Sequence, residues 1–257
     1  MLKPDEMARV AVKVGEGKAN LPIHKTILLG AMAGAFIALA GVAATFGNAY
    51  VGKLAGACIF PAGLAMVVVA GSELFTGNCL MWMALLSGKI GFSKLLKNWG
   101  FVFLGNLLGA LFVTLLVVLS GVFDNISETV VATANAKVSI GFGEALIRGV
   151  LCNFLVCIAV WMAFSAESVT GKIAAVFFPV MIFVLCGFEH SIANMFYIPA
   201  GMMQSAFTGG GIDALNVGGF LFYNLLPVTI GNIIGGALFV GGTYYLTYLR
   251  KQKVYKK

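Results

Sequence analysis

The amino-acid sequence predicts an all-α membrane protein with six transmembrane helices in two inverted three-helix repeats, the second and fifth helices being broken. The first observation is composition, because the 257 residues are 60% hydrophobic and only 11% charged, too little charge for a water-facing surface. The second is the presence of six apolar runs, and about 20 residues suffice for one crossing. The third is a motif in the second run that returns in the fifth.

The first 25 residues, which precede the first apolar run, mix charged and apolar side chains. Pro4 and two acids open this stretch, as is typical of a helix N-terminus. Met7, Val10 and Val14 then fall on one helical face. We therefore expect an N-terminal cytoplasmic helix that lies at the membrane interface.

The transmembrane domain is predicted to occupy residues 26–250, where apolar runs alternate with charges and turn residues. The predicted spans are 26–46, 54–86, 99–122, 145–165, 173–204 and 220–249. The second and fifth runs are too long for one straight crossing, so each is predicted to form two half-helices. Residues 251–257 are predicted to be a basic cytoplasmic tail.

The distribution of basic residues predicts the orientation of these spans. All 17 lysines and arginines except Lys53, Lys137 and Arg148 fall in segments on one side of the membrane. Because lysine and arginine favour the cytoplasmic side, both termini are predicted to be cytoplasmic. This bias also explains the net charge of +7 better than nucleic-acid binding does.

Two motifs recur in the same order and indicate an internal repeat. Residues 71–78 and 187–194 share the pattern G-x-E-x-x-x-x-N, and residues 105–109 and 231–235 share G-N-apolar-apolar-G. The second copy of each motif lies three spans after the first, an odd number, so the two halves must have opposite orientations. Many channels and transporters are built on this inverted-repeat plan.

The fifth run contains a polar patch at a depth where hydrocarbon is expected. Glu189 and His190 lie there, and ionisable residues within a membrane commonly serve a transport pathway or a proton relay. A broken helix exposes backbone N–H groups that favour an anion. We expect Thr76 and Ser191 to cap the second half-helices, with Glu73 and Glu189 accepting free N–H groups. His190 adds a side chain that exchanges its proton near neutral pH.

Other residue types restrict the chemistry further. His24 and His190 are far apart, and no cluster of His, Cys and acidic residues has ligand spacing, so neither a metal nor another cofactor is predicted. The five cysteines lie in apolar runs and are interpreted as packing residues. An intramembrane enzyme using Glu189 and His190 is disfavoured, because adjacent residues do not point both side chains at one substrate. The chain is therefore not expected to be an enzyme.

Bulky apolar residues near the breaks allow two interpretations. They are Phe60, Leu64, Leu74 and Phe183. They either pack in the core or constrict a pore, and the residues alone favour the core because most aromatic side chains in helical bundles simply pack.

At the repeated motifs the chain resembles the formate/nitrite transporter family. The matching segments are residues 71–78, 97–107, 151–162, 187–195 and 227–232. The resemblance implies an aquaporin-like six-span protomer, five protomers in a ring, and one pore through each. It also implies that His190 is the histidine in the middle of the pore and that Thr76 lies opposite it on the break of the second span.

The resemblance implies roles for further residues. Glu189, Asn153 and Lys137 match positions that tune the histidine or draw anions to the mouth of the pore. The four bulky apolar residues match the constrictions, which reverses the preference for a core role. A small anion is then expected to enter a positively biased funnel and to cross the apolar constrictions with the help of a proton shared with His190.

The expected substrate is a small monovalent anion of a weak acid, with formate favoured and nitrite or hydrosulfide as alternatives within the same family. The context of Lys137 and residues 198–201 looks closer to formate channels, whereas residues 71–77 and Arg148 also resemble nitrite channels. A neutral-solute channel of the aquaporin type would carry Asn-Pro-Ala at both half-helix starts, and this chain does not. The expected location is the inner membrane of a bacterium or archaeon.

Overall fold

A computed structural model describes residues 1–209 and 214–250 of the chain. Their regular structure is helical, and six helices are long and apolar enough to cross a membrane. These are Ile23–Tyr50, Lys53–Ala70, Phe92–Leu119, Phe142–Ser165, Val169–Cys186 and Gly219–Tyr248. The six predicted spans are thus confirmed, although their ends shift. The predicted tail, residues 251–257, lies outside the described residues.

The α-helices, numbered in chain order, are α1 (Pro4–Ala19), α2 (Ile23–Tyr50), α3 (Lys53–Ile59), α4 (Pro61–Ala70), α5 (Phe75–Asn78), α6 (Trp82–Leu86), α7 (Phe92–Leu119), α8 (Ser127–Val138), α9 (Phe142–Ser165), α10 (Val169–Cys186), α11 (Ser191–Thr208), α12 (Leu226–Ile233) and α13 (Thr243–Tyr248). Cys79–Met81 forms a 3-10 turn between α5 and α6. The sixth span also contains two π-helical stretches, Gly219–Leu225 and Ile234–Gly242.

Helix α1 forms where the sequence predicted it, with acidic residues in its first turn. It packs against several transmembrane helices. Its buried residues are Met7, Ala8, Ala11, Val12 and Gly15. Of the predicted apolar face, Met7 is buried, whereas Val10 and Val14 are half-buried. The apolar side of this helix is therefore covered by the bundle.

The second and fifth spans are broken at equivalent points, as predicted. Gly71 (φ 74°) ends α4 and Gly187 (φ 72°) ends α10, both in the left-handed region, which glycine enters at little cost. The next residue donates its N–H back into the helix in each case, to Val67 O at 3.1 Å and to Phe183 O at 3.0 Å. The two helix ends are therefore built alike, and the chain leaves each helix in the same way.

Each repeat is held by one close helix pair, α2 with α7 and α9 with α12. A Cβ atom at Gly109 would overlap the backbone of Ala31, and one at Gly235 would overlap the backbone of Val150. The last glycine of each G-N-apolar-apolar-G motif therefore permits backbone-to-backbone contact, as small residues do in membrane helix pairs. The repeats predicted from the sequence are thus present in the packing.

Helix α8 links the two repeats and was not predicted from the sequence. It lies between the third and fourth spans and packs against α11. Lys137, near its C-terminal end, is thereby brought to the break of the fifth span, where its ammonium group lies 2.9 Å from the Glu189 carboxylate.

Candidate functional site

The candidate site lies where the two helix breaks meet in the middle of the bundle. His190 Nε2 is 2.9 Å from Thr76 Oγ1, which joins the break of the fifth span to the second half of the second span. Both side chains are buried. The predicted meeting of His190 and Thr76 therefore agrees with the geometry.

The hydrogen bonds of His190 define its tautomer. Its Nδ1 accepts the backbone N–H of Ala193 at 3.0 Å, so His190 is the N-cap of α11. A nitrogen that accepts a hydrogen bond carries no proton, which leaves the proton of the neutral imidazole on Nε2. Nε2–H therefore donates to the Thr76 hydroxyl. If Nδ1 carried a proton, it would face the N–H of Ala193, and two donors would point at each other. A doubly protonated ring therefore requires the hydrogen bond between Ala193 and His190 to break.

The prediction that Thr76 and Ser191 cap the half-helices was wrong. The N-cap residues are Leu74 for α5 and His190 for α11. The Thr76 hydroxyl bonds to His190 instead. The Ser191 hydroxyl oxygen is buried and has no hydrogen-bond partner among the described residues.

Asparagines from the G-N motifs satisfy the backbone at both breaks. Asn106 Oδ1 accepts the N–H of Phe75 at 2.9 Å, and Asn232 Oδ1 accepts the N–H of Ser191 at 2.9 Å. Their amide groups donate to the carbonyls of Glu73 and Glu189, at 2.8 and 3.0 Å respectively. These asparagines come from the third and sixth spans, so the N–H groups of Phe75 and Ser191 find their acceptors on distant parts of the chain.

The expected acceptance of free N–H groups by the two glutamates was also wrong. Glu73 accepts from the side chain of Asn78 at 2.7 Å, and Glu189 accepts from the side chain of Asn194 at 2.6 Å. In each copy of the motif G-x-E-x-x-x-x-N, the glutamate therefore accepts a hydrogen bond from the asparagine of the same copy. This bond fixes the first turn of the half-helix that follows the glutamate.

A lysine completes each of these networks. Lys18 Nζ lies 2.7 Å from Glu73 and Lys137 Nζ lies 2.9 Å from Glu189. The glutamate side chains are only 6% and 4% exposed, so each buried carboxylate has the charged partner that burial demands. Neither lysine lies in a repeated motif, and their partners are 52 and 55 residues away in the chain. Lys137 was predicted only because the family resemblance implied it, and Lys18 was missed.

Two further asparagines extend the symmetry. Asn98 accepts from Asn78 at 2.9 Å and donates to the carbonyl of Lys18 at 3.1 Å. Asn224 accepts from Asn194 at 2.7 Å and donates to the carbonyl of Lys137 at 2.8 Å. The two networks therefore match residue by residue. In each, the lysine is held at two points, through its backbone carbonyl and through its ammonium group.

Asn153 lies close to the site but does not contact His190. Its amide donates to the carbonyl of Thr76 at 3.2 Å and to the carbonyl of Asn232 at 2.7 Å. Cys157, one turn further along α9, is 3.3 Å from the same Thr76 carbonyl. Asn153 thus positions Thr76, and through it the partner of His190.

The four bulky apolar residues fall into two pairs around the site, and all are buried. The Phe183 ring stacks on the His190 ring with centroids 5.8 Å apart, and Phe60 meets Phe183 edge to face at 5.9 Å. Leu64 and Leu74 line a cavity of about 690 Å³ on the side of α1. Phe183 therefore lies against the histidine with Phe60 packed on Phe183, whereas Leu64 and Leu74 face the cavity.

The cavity on the α1 side has charged walls as well as apolar ones. Its lining includes Lys18, Lys172 and Glu73, so the bases outnumber the acid by one. On the opposite side, Arg148 lies in the fourth span as expected, where it pairs with Glu144 and donates to the carbonyl of Gly187 at 3.5 Å. Among the described residues no cluster of three or more metal-ligating side chains occurs.

A helical bundle whose two broken spans meet at a buried histidine defines a membrane channel or transporter. The family described as "Formate/nitrite transporter" matches residues 5–246. The chain belongs to this family, and its members are channels and transporters, not enzymes.

Named relatives and solved structures extend the comparison. The chain is 42% identical to "Formate channel FocA" of Escherichia coli (strain K12), over 98% of this chain and 96% of that protein. It is also 42% identical to "Uncharacterized transporter YrhG" of Bacillus subtilis (strain 168), over 99% and 97%. Its fold matches a solved "Pentameric formate channel with formate bound" with a TM-score of 0.81 at 38% identity, covering 89% of this chain and 98% of that chain.

Proposed function

We propose that the chain forms a pore for formate, a small monovalent anion of a weak acid. The observation that carries this proposal is the buried hydrogen bond between His190 and Thr76, which places a proton donor where the two helix breaks meet. The relative named as a formate channel and the solved channel with formate bound support formate as the substrate.

The path of the anion starts in the cavity on the α1 side. Lys18 and Lys172 attract the anion there, because basic side chains raise the local concentration of negative ions. Leu64 and Leu74 form the constriction on this side, and Phe60 and Phe183 form the other. A hydrated charge crosses such apolar segments poorly, so the chemistry at the centre decides the rate.

His190 shares its Nε2 proton with the anion at the centre of the pore. Formate approaching Nε2 replaces the Thr76 hydroxyl as the acceptor, and a proton shared in this way lowers the cost of the charge in an apolar region. Thr76 holds the proton in position when no anion is present. Asn153 fixes the backbone of Thr76, so that the hydroxyl returns to the same place.

Lys137 and Glu189 act at the mouth on the far side of His190. The pair brings a positive charge close to the break, and its carboxylate keeps Asn194 and the first turn of α11 in place. Lys137 thus draws anions towards the pore, while Glu189 tunes the position of the adjacent histidine.

The proposed setting is the inner membrane of a bacterium or archaeon, crossed six times with both termini in the cytoplasm. Residues 1–25 then form a cytoplasmic segment and residues 251–257 a basic cytoplasmic tail. The excess of lysine and arginine on the α1 side supports this orientation. Five copies form a ring with a pore in each, an arrangement supported by the solved pentameric relative.

Flux into liposomes that contain the purified protein tests the proposal. Formate, nitrite, hydrosulfide and glycerol are compared between about pH 5 and pH 8, the range in which histidine and weak acids change protonation. Formate is expected to move fastest, and faster at low pH. Faster nitrite or hydrosulfide movement would reassign the substrate, and movement of glycerol without the anions would refute the role of His190.

A further inference from the structure

A second pocket, separate from the pore, lies between α1, α6 and α13. It has a volume of about 660 Å³. Arg9, Lys13, Lys89 and Arg250 line it, with Glu16 as the acid in the lining. Three separate elements supply these bases, so the concentration of positive charge comes from the tertiary fold and not from one basic stretch of sequence.

Local structure places each base at the pocket. Arg9, Lys13 and Glu16 are spaced to lie on one face of α1. Gly88 (φ 68°) reverses the chain after α6, and Lys89 donates its N–H back to the carbonyl of Ala84 at 3.0 Å. Lys89 is therefore held at the helix end and does not lie on a free loop.

The positive charge of the pocket is only partly neutralised. Arg9 pairs with Asp5. Lys13, Lys89 and Arg250 form no ion pair with any of the described residues. An anionic ligand fits this excess.

A buried hydroxyl in the lining also lacks a partner. Ser87 Oγ is shielded from solvent and makes no hydrogen bond to the described residues, and Ser87 lines the pocket. Because the oxygen is shielded, the side chain must rotate into the pocket before its hydroxyl can donate to a phosphate oxygen. Bases around a hydroxyl donor form the kind of side-chain set that recognises phosphate.

The remaining walls are apolar and lie at the end of a membrane span. Tyr245, Leu249, Leu86 and Val12 contribute them, and the sixth span ends at Tyr248. Tyrosine and basic residues together at a span end are typical of the membrane interface. A dissolved phosphate ion has no apolar part that could contact these walls. A phospholipid does, because its glycerol and upper acyl chains lie next to the phosphate.

We propose that this pocket binds the phosphate-bearing headgroup of an acidic phospholipid. The bases and Ser87 hold the phosphate, and the apolar walls hold the adjoining part of the lipid. This site is independent of the proposed pore, since it shares no lining residue with the cavity that Leu64 and Leu74 line.

The test compares two triple variants of the full-length protein in phosphatidylcholine vesicles that contain spin-labelled phosphatidylglycerol. The first, K13Q/K89Q/R250Q, removes the unpaired bases of the pocket. The second, K25Q/K94Q/K97Q, removes three charges from the same face outside it and is the matched control. Both variants lose the long-range attraction of three bases for an acidic membrane surface. The first is expected to lower the preference for phosphatidylglycerol by at least about tenfold more than the control does, because it also loses the hydrogen bonds to the charged phosphate.

Formate flux in phosphatidylcholine vesicles shows that each variant is folded, and it is expected to equal that of the wild type. If the first triple variant does not fold, Lys89→Gln alone is expected to lower the preference by at least about fivefold more than Lys97→Gln does, because only Lys89 lines the pocket. Equal preference in the wild type and the pocket variants would overturn the proposal, as would an equal loss in the control.

A competition experiment separates a lipid from a dissolved ion. Inorganic phosphate is added to wild-type vesicles that contain labelled phosphatidylglycerol, with chloride at matched ionic strength as the control. Phosphate is expected to displace no more label than chloride does. Specific displacement by phosphate would assign the pocket to a soluble phosphate and overturn the lipid assignment.

Discussion

Replacement of Asn232 by alanine tests the claim that side chains from distant spans hold the helix breaks in place. The buried side chain of Asn232 accepts from Ser191 N at 2.9 Å and donates to the carbonyls of Glu189 at 3.0 Å and Gly149 at 2.8 Å. Alanine removes all three hydrogen bonds at once.

The expected magnitude follows from the groups left without partners. The Gly149 carbonyl lies within α9, where a helical N–H also reaches it, so its loss costs little. The N–H of Ser191 and the carbonyl of Glu189 lie at the break, where no helical partner replaces Asn232. Each orphaned buried group costs about 1–3 kcal/mol, so Asn232→Ala is expected to lower the free energy of unfolding by about 2–6 kcal/mol.

Unfolding by denaturant in detergent micelles measures this loss. Asn48→Ala is the matched control, because the Asn48 side-chain oxygen is buried without a hydrogen-bond partner among the described residues. Its removal is expected to change the free energy of unfolding by less than about 1 kcal/mol. If Asn232→Ala unfolded at the same denaturant concentration as Asn48→Ala, the argument that the motif asparagine stabilises the break would be refuted.

Three other changes test the site and the packing. His190→Asn keeps an efficient N-cap but removes the titrating group, so formate flux is expected to lose much of its pH dependence in the liposome assay, and an unchanged pH profile would contradict proton sharing. Lys137→Glu is expected to reduce flux at low salt more than Lys137→Gln does. The difference between the two variants is expected to shrink when added salt lowers the Debye length below about 10 Å. If the flux of Lys137→Glu were equal at low and high salt, a role for Lys137 at the mouth of the pore would be contradicted. Gly109→Ala forces a Cβ into the backbone of Ala31 and is expected to cost about 1–3 kcal/mol in unfolding, whereas Gly100→Ala, with no atom within 4 Å of its added Cβ, is expected to cost nothing.

The sequence was sufficient for the main features of the fold because they depend on local patterns. Run length and charge predicted the six spans, and the paired motifs predicted the inverted repeats. Run length also predicted the breaks, since the second and fifth runs exceed one crossing, and the repeated motifs that begin at Gly71 and Gly187 located them. Helix α8 was missed because its residues are of mixed polarity and show no long apolar run.

The hydrogen bonds of the site were less predictable because their partners are remote in the chain. Ser191 and Asn232 are 41 residues apart, and Lys18 and Glu73 are 55 apart. Local rules assign a cap to the nearest serine or threonine. They failed here because motif asparagines from other spans accept the N–H groups of Phe75 and Ser191, and because His190 itself caps α11. Only the packing of the spans identifies which acceptor reaches each N–H group.

The two asparagine motifs allow the stability of the helix breaks to be distinguished from the positioning of the histidine. Asn106 makes the same set of bonds in the first repeat as Asn232 does in the second, so Asn106→Ala is expected to cost about the same 2–6 kcal/mol. The residues beside the breaks differ, however, because Leu74 occupies the N-cap position that His190 holds in the second repeat. Asn232→Ala removes the acceptor of the Ser191 N–H, which is next to His190 in the chain, whereas Asn106→Ala leaves that hydrogen bond in place. In liposomes, Asn232→Ala is therefore expected to alter the pH dependence of formate flux more than Asn106→Ala does. Equal changes would mean that the histidine is positioned by the fold as a whole, and not by the asparagine of its own repeat.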